Sequence, residues 1–400
     1  MTLIRSFKTR LLCCTLVWTG AVSADFEFSG HVGTETRIFI QDPSGSNLSG
    51  ATGSLSFKPE AYLEWDDGDQ SFLFVPFVRL DQNDTRRTHY DVRELTYIYA
   101  AESWEFRFGL RRLFWGVAES NHLVDIINQT DLVENLDQED KFGQPMVNFA
   151  LVRDWGTVDL FVLPGFRERS FPGRDGRFQF PLRVDTSAAE YESASEQNHV
   201  DYAARYSHYF GVFDVGLYHF WGTSREPRFA VERTAAGEPI LAPIYDIIHQ
   251  SGTDLQATLG NWLLKFEALR RQGQGETYAA AVGGYEYTFV GFLGTSIDLG
   301  VLGEYHFDER GRRAPSPFNN DVFVGSRIAI NDAADSQLLS GIVSDLNGGG
   351  YFLNIEASRR FGDFWKVELE LRLLLDVEKT DPLRSLHRDD YVQLELLRFF

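Results

Sequence analysis

The chain of 400 residues is 43% apolar and 14% aromatic, which rules out disorder because such a composition can bury a core. Its 33 Phe, 16 Tyr, 8 Trp and 35 Gly against 2 Met are the vocabulary of strands and tight turns and disfavour a soluble helical fold. A net charge of −20 repels nucleic acid and anionic polymers at long range, so no nucleic-acid partner is expected.

The first element in chain order is a leader. Arg5, Lys8 and Arg10 precede an apolar stretch from Leu11 to Trp18, and Val22-Ser23-Ala24 offers small residues for cleavage. This pattern predicts a secretory signal peptide over 1–24 and a mature domain over 25–400. A lipoprotein signal is disfavoured, because Leu12 and Cys13 stand before Cys14 where small residues are needed. Both cysteines fall within the leader, so the exported chain must be stabilised by a large core or a large closed sheet instead of disulfides. Past the leader no run of about 18 apolar residues occurs, which excludes helical spans but not transmembrane strands.

From there to the last residue, alternation of period two predicts about eighteen strands. Trp104, Phe106, Phe108 and Leu110 alternate with Glu105, Arg107, Gly109 and Arg111. Trp262, Leu264, Phe266 and Ala268 alternate with Lys265, Glu267 and, further on, Arg271. Ile297, Leu299, Val301 and Tyr305 alternate with Asp298, Gly300 and Glu304, and Trp365 to Leu373 with Lys366, Glu368, Glu370 and Arg372. A period of two separates two faces of a strand, whereas on a helix it would ring every side with charge.

The links alternate in length. Short ones at 66–70, 101–103, 154–156, 210–211, 259–261, 290–294, 331–336 and 361–363 interleave with mostly longer ones. The longer ones are 42–50, 81–88, 116–145, 166–199, 223–243, 308–320 and 379–388, with 272–275 and 345–349 short on the same side. Short turns at one end and long loops at the other predict a transmembrane antiparallel β-barrel with tight periplasmic turns and long external loops. In that barrel the apolar face meets lipid and the charged face lines a wet lumen. Strands of about ten residues, aromatics at strand ends and the leader favour it over a soluble barrel.

The carboxyl end, Tyr391-Val392-Gln393-Leu394-Glu395-Leu396-Leu397-Arg398-Phe399-Phe400, alternates and terminates in Phe. It resembles the closing strand of bacterial outer-membrane β-barrels, whose assembly machinery recognises a terminal aromatic. The resemblance implies that machinery as a partner through Phe400, and a Gram-negative outer membrane as the location. Arg398 departs from the pattern, and near a headgroup region its guanidinium can snorkel. In whole-chain organisation the sequence resembles the eighteen-stranded substrate-specific porins and the alginate-export barrels. Trp115-Gly116 followed by Asp125-Ile126-Ile127-Asn128 is similar to a segment of porin-like outer-membrane proteins. The likeness spans nearly the entire mature chain and carries no substrate information.

Within that frame, 116–145 is too long for a hairpin turn. His122, Leu123, Ile126, Ile127 and Leu132 recur at helical spacing behind a capping Asn121, which predicts a short helix folded into the barrel mouth. Glu119, His122, Asp125, Asn128, Asp131 and Glu134 are the candidate constriction residues, and Glu119, Asp125, Asp131 and Glu134 are expected to face Arg107 and Arg111. The candidate pore wall is Arg79, Glu105, Arg107, Arg111, Lys265, Glu267, Glu304, Arg327, Glu356, Lys366, Glu368, Glu370 and Arg372. Buried charges need water or each other, and the near-balance of signs argues against a pore selective for one sign.

In 166–199, Arg167, Arg169, Arg174, Arg177 and Arg183 with Phe171, Phe178 and Phe180 form a basic, aromatic half. It could hold an anionic or sugar ligand, or bridge lipopolysaccharide phosphates. No catalytic or zinc pattern stands out among the scattered histidines, so no enzyme, cofactor or metal is expected. The expectation is a passive channel for a small polar or ionic solute, with a polysaccharide export conduit and a plugged structural barrel as alternatives.

Overall fold

The computed structural model describes residues 24–43, 45, 48–348, 350–378 and 381–400. The predicted leader, apart from Ala24, lies outside them. Alternating strands of 8 to 15 residues form one 18-stranded sheet, in which each strand pairs antiparallel with the next along the chain. The first, Asp25–Phe39, also pairs with the last, Tyr391–Phe399, in a register from His31↔Phe399 to Phe39↔Tyr391. Closure leaves no unpaired edge, and a slip of one residue would turn every charged side chain to the apolar face. One irregularity matters for the interior. Opposite Val75 and Pro76 the register jumps from Glu94 to Val92, so Arg93 becomes the extra residue of a bulge and is buried inside. Pro76 has no N–H to give the ladder, which accounts for the bulge at that point.

The outer face is apolar. Phe28, Phe57, Leu80, Phe108, Leu160, Leu217, Phe266, Tyr305, Leu369 and Leu394 are all exposed there. Near the short turns, aromatics form a girdle: Trp104 lies 5.3 Å from Tyr99 and 5.8 Å from Phe149, and Trp262 lies 4.7 Å from Tyr287. Arg398 belongs to this girdle, its guanidinium 4.5 Å from the ring centre of Phe364. The turns themselves are tight; Gly260, between Leu259 and Asn261, takes φ +62° in open space, a conformation that favours glycine.

The interior departs from a uniformly charged lumen. Met146, Phe161, Leu163, Tyr218, Phe220 and Ile248 point inward and pack with Trp115, Val124, Ile126 and Ile127 of the long link. Both parities are apolar in these strands, as in Phe161-Val162-Leu163, because one side meets the outside and the other a folded-in loop. The link itself runs from 112 to 143, since the strand Gln144–Arg153 takes in Pro145. It contains no helix, contrary to the spacing of His122, Leu123, Ile126 and Ile127. Its N–H groups are claimed by carboxylates of the barrel wall, which replaces the i→i−4 ladder with tertiary bonds.

The link 223–243 also differs from expectation. It carries a hairpin of Arg228–Arg233 with Pro239–Tyr245, and the second strand pairs parallel with Glu190–Tyr191. The alternation of Phe229, Val231 and Leu241 around a Gly237 turn was its only trace in the sequence.

Candidate functional site

Two wall carboxylates hold the inward loop. Glu267 has no exposed surface, and its Oε1 accepts the N–H groups of Val117 (2.6 Å) and Ala118 (2.8 Å) while Oε2 accepts that of Val124 (3.2 Å). Glu304 accepts the N–H of Glu119 (2.7 Å) and both the N–H and hydroxyl of Ser120 (2.9 and 2.5 Å). Gly116 makes the approach possible: at φ +132° a Cβ there would stand 2.8 Å from the Glu267 carboxylate. At the neck, Asn128 accepts from Leu113 N–H (2.8 Å) and donates to the carbonyls of Arg111 (2.7 Å) and Phe142 (2.8 Å). Unpaired backbone donors and acceptors in a buried loop are costly, and these side chains satisfy them.

The loop carboxylates do not meet Arg107 and Arg111. Arg107 pairs with Glu105 and with Asp159 (3.3 Å), and both arginines donate to Asn148 Oδ1 (2.8 and 3.1 Å). Glu119 instead pairs with Arg327 (2.6 Å) and Lys265 (3.3 Å), and Asp125 with Lys141 of its own loop (3.4 Å). Asp131 faces Arg93 (2.8 Å), and Glu134 faces Arg79 (2.8 Å). His122 stands 4.0 Å from Glu139 and edge-on to Phe114. The loop spans the lumen toward other strands than its own, which is why proximity in sequence to Arg107 and Arg111 misleads.

Among the described residues, two cavities stand out inside the barrel. One, of about 300 Å³, opens between Glu119, His122, Asp125, Arg271, Glu356 and Arg372. The other, of about 360 Å³, is bounded by Lys58, Arg79, Arg112, Asp140, Glu368 and Glu395. They share no lining residue. Between them stands a thin layer in which Arg372 of the first wall pairs with Glu370 of the second and with Asp137 of the loop (3.0 Å). Asn135 donates to Glu370 (3.2 Å), and the Tyr391 hydroxyl bonds the same carboxylate. Lys366 pairs with Glu368 (2.6 Å) nearer the short turns. Both signs line each cavity.

Burial pushes the Asp137 carboxyl up to about 7 against the pull of Arg372, and pushes Asp140 up to about 6 with the nearby Glu134 charge adding to it. Both stand above the ordinary carboxyl value of about 4 in an unfolded chain. The folded form therefore binds these protons more tightly, and its stability rises as pH falls through 7 and 6, the gain being complete below about pH 4. The interior also loses two negative charges over that window. The expected outcome is an ion preference that shifts toward anions between pH 8 and pH 5, measured as the reversal potential across a salt gradient; a pH-independent potential would contradict it.

Sequence reasoning missed the densest polar network. Glu35 accepts from Arg87 (2.8 Å) and Arg79 (3.0 Å), and Arg87 also meets Asp81 (3.0 Å) and the carbonyls of Val133 (2.9 Å) and Glu134 (3.1 Å). Nothing in the spacing of these residues points to it. Part of the basic half of 166–199 is likewise turned inward, while Arg174 stays exposed beside Glu238. Arg177 is buried against Asp389 (2.7 Å) and the carbonyls of Gln41 (2.8 Å) and Arg388 (2.7 Å), and Arg167 pairs with Asp91 (2.7 Å). Phe171 and Phe178 are buried, so this segment ties loops together rather than presenting an open cluster of charge and rings.

The closed 18-stranded antiparallel barrel is similar in fold to solved porins. A BenF-like porin from Pseudomonas fluorescens Pf-5 superposes with a TM-score of 0.55 at 10% identity, over 94% of this chain and 98% of that one. Pseudomonas aeruginosa OpdQ gives a TM-score of 0.52 at 10% identity, over 94% and 97%. No protein-family model and no curated protein matches the sequence.

Proposed function

We propose that this chain is a non-catalytic channel of the bacterial outer membrane that passes a small polar or ionic solute. The observation that carries the reading is the pair of charged cavities on either side of a thin polar layer, inside a closed barrel whose outside is apolar. In water that arrangement would be inverted, with charge outside and apolar groups within. The aromatic girdle fits a membrane–water interface, short turns would face the periplasm, and long loops would face outside with lipopolysaccharide around them. Residues 1–24 would serve as the cleaved export signal. Phe400 would be the handle for the barrel-assembly machinery, its exposed ring packed 5.7 Å from Phe28 at the seam of closure. The likeness to a protein named a porin supports the same reading.

Of the wall candidates, Arg79, Glu356, Glu368, Glu370 and Arg372 line the cavities and would form the pore wall, with Asn135, Asp137, Glu370 and Arg372 as the narrowest layer, while Glu267 and Glu304 would anchor the loop. Cavities of about 300 and 360 Å³ separated by a bonded layer favour a small solute over a polysaccharide chain. The bonded layer between them does favour one alternative, a plugged barrel. Reconstitution into planar bilayers separates the two. Discrete current steps in potassium chloride are expected, and a protein that inserts and assembles without them would be a plug.

A further inference from the structure

We propose that His89, Asp131 and Glu134 form a divalent transition-metal site that pins the inward loop to the barrel wall. His89 opens the strand His89–Ala101, whereas Asp131 and Glu134 belong to the loop. The ring is oriented by its own turn: Nδ1 stands 3.1 Å from the Arg87 carbonyl, a contact that requires Nδ1 to carry the proton. In the neutral ring Nε2 is then a bare acceptor. It faces Glu134 Oε1 at 3.4 Å and Asp131 Oδ2 at 3.6 Å, and the three atoms lie within 4.8 Å of one another. None of the three has a hydrogen-bond partner, and all are shielded from solvent. The Arg93 guanidinium approaches Asp131 Oδ2 alone, and the convergence of His89 Nε2 with Glu134 Oε1 without a cation between them is unfavourable.

The two separations from His89 Nε2, 3.4 and 3.6 Å, fit an ion. Ligands held at about 2.0–2.2 Å in a tetrahedron stand roughly 3.3–3.6 Å apart. One imidazole nitrogen and two carboxylate oxygens are a ligand set suited to zinc, with a fourth position open to water. The outer contacts hold the carboxylates in place. Glu134 gives its other oxygen to Arg79 (2.8 Å), and Asp131 gives its other oxygen to the Ser170 hydroxyl (2.5 Å). Such outer partners orient ligands and tune affinity. Arg93, 2.8 Å from Asp131 Oδ2, adds a positive charge beside the site. It is offset by Asp91 at 3.3 Å, while Glu35 and Asp81 balance Arg79 and Arg87. The ion would cross-link one wall residue to two loop residues, close to the layer that separates the cavities.

The test is zinc titration of the metal-stripped full chain in detergent, followed by X-ray absorption at the zinc edge. One ion per chain is expected, with one imidazole nitrogen and otherwise oxygen neighbours. Glu134→Gln and His89→Ala should each weaken binding at least tenfold while heat-modifiable migration on gels shows an intact barrel. Should either variant fail to fold, the absorption spectrum of the unaltered protein decides by its ligand set. No zinc uptake, uptake unchanged in folded variants, or a site with two or more imidazoles would overturn the proposal. A pH-dependent change at His89 without zinc uptake would mean that a proton, as imidazolium, bridges the two carboxylates instead, and would overturn it too.

Discussion

Replacing residues 113–142 by a four-residue Gly/Ser turn raises single-channel conductance several-fold while the barrel still assembles. The loop can be excised because its ends are already neighbours: Arg111 pairs with Gln144 across two adjacent strands, and Asn128 bridges the carbonyls of Arg111 and Phe142. Excision removes Asn135 and Asp137 from the layer between the cavities and Trp115, Val124, Ile126 and Ile127 from the apolar cluster. Burial of each such apolar side chain contributes roughly 1.5–3 kcal/mol, so some stability is lost. The strand ladder does not depend on the loop and survives. Phe161, Tyr218 and Phe220 would then face water, which narrows the gain but does not cancel it. Planar-bilayer recordings of the excised protein at matched salt check the result. A conductance equal to that of the full chain would mean that the loop does not limit the path.

The second large effect concerns the outer face. Leu369 lies in the middle of the strand Trp365–Leu375, opposite Ala357 and Leu394 on its neighbours, and is 39% exposed. Leu369→Arg places a charge near the bilayer midplane and costs about 2–4 kcal/mol. The neighbouring Glu368 points the other way, lines the inner cavity and pairs with Lys366, so Glu368→Gln should change stability far less. Denaturant unfolding of both variants in lipid vesicles gives the comparison. Equal costs at the two positions would remove the membrane reading of the apolar face, since a soluble barrel has no reason to penalise Arg on its outside.

Strand number, the two faces of each strand and the segregation of short turns from long loops were all legible along the chain. Trp365 to Leu373 illustrates why: the alternation is a relation between immediate neighbours, and pleating turns it into two faces without help from elsewhere. The hairpin at Arg228–Arg233 was not legible, because a short strand that pairs only with loop residues carries too few alternations to stand out. The helix expected around His122 failed for a related reason. Spacing there favoured one, but Glu267 takes the N–H of Val124 as well as those of Val117 and Ala118 just before the segment, a partnership hidden by its distance along the chain.

The same holds for the site as a whole. Charge on the inner wall could be read from parity, and five of the wall candidates, Arg79, Glu356, Glu368, Glu370 and Arg372, line the cavities. Which carboxylate meets which arginine could not be read. Asp131 with Arg93 and His89, Glu119 with Arg327, and Asp137 with Arg372 are pairs made when a sheet closes and a loop crosses its interior. Periodicity is local and survives in one dimension, whereas contacts across a lumen depend on closure, on a bulge that turns Arg93 inward and on a loop held by Glu267 and Glu304. Those are properties of the folded barrel alone.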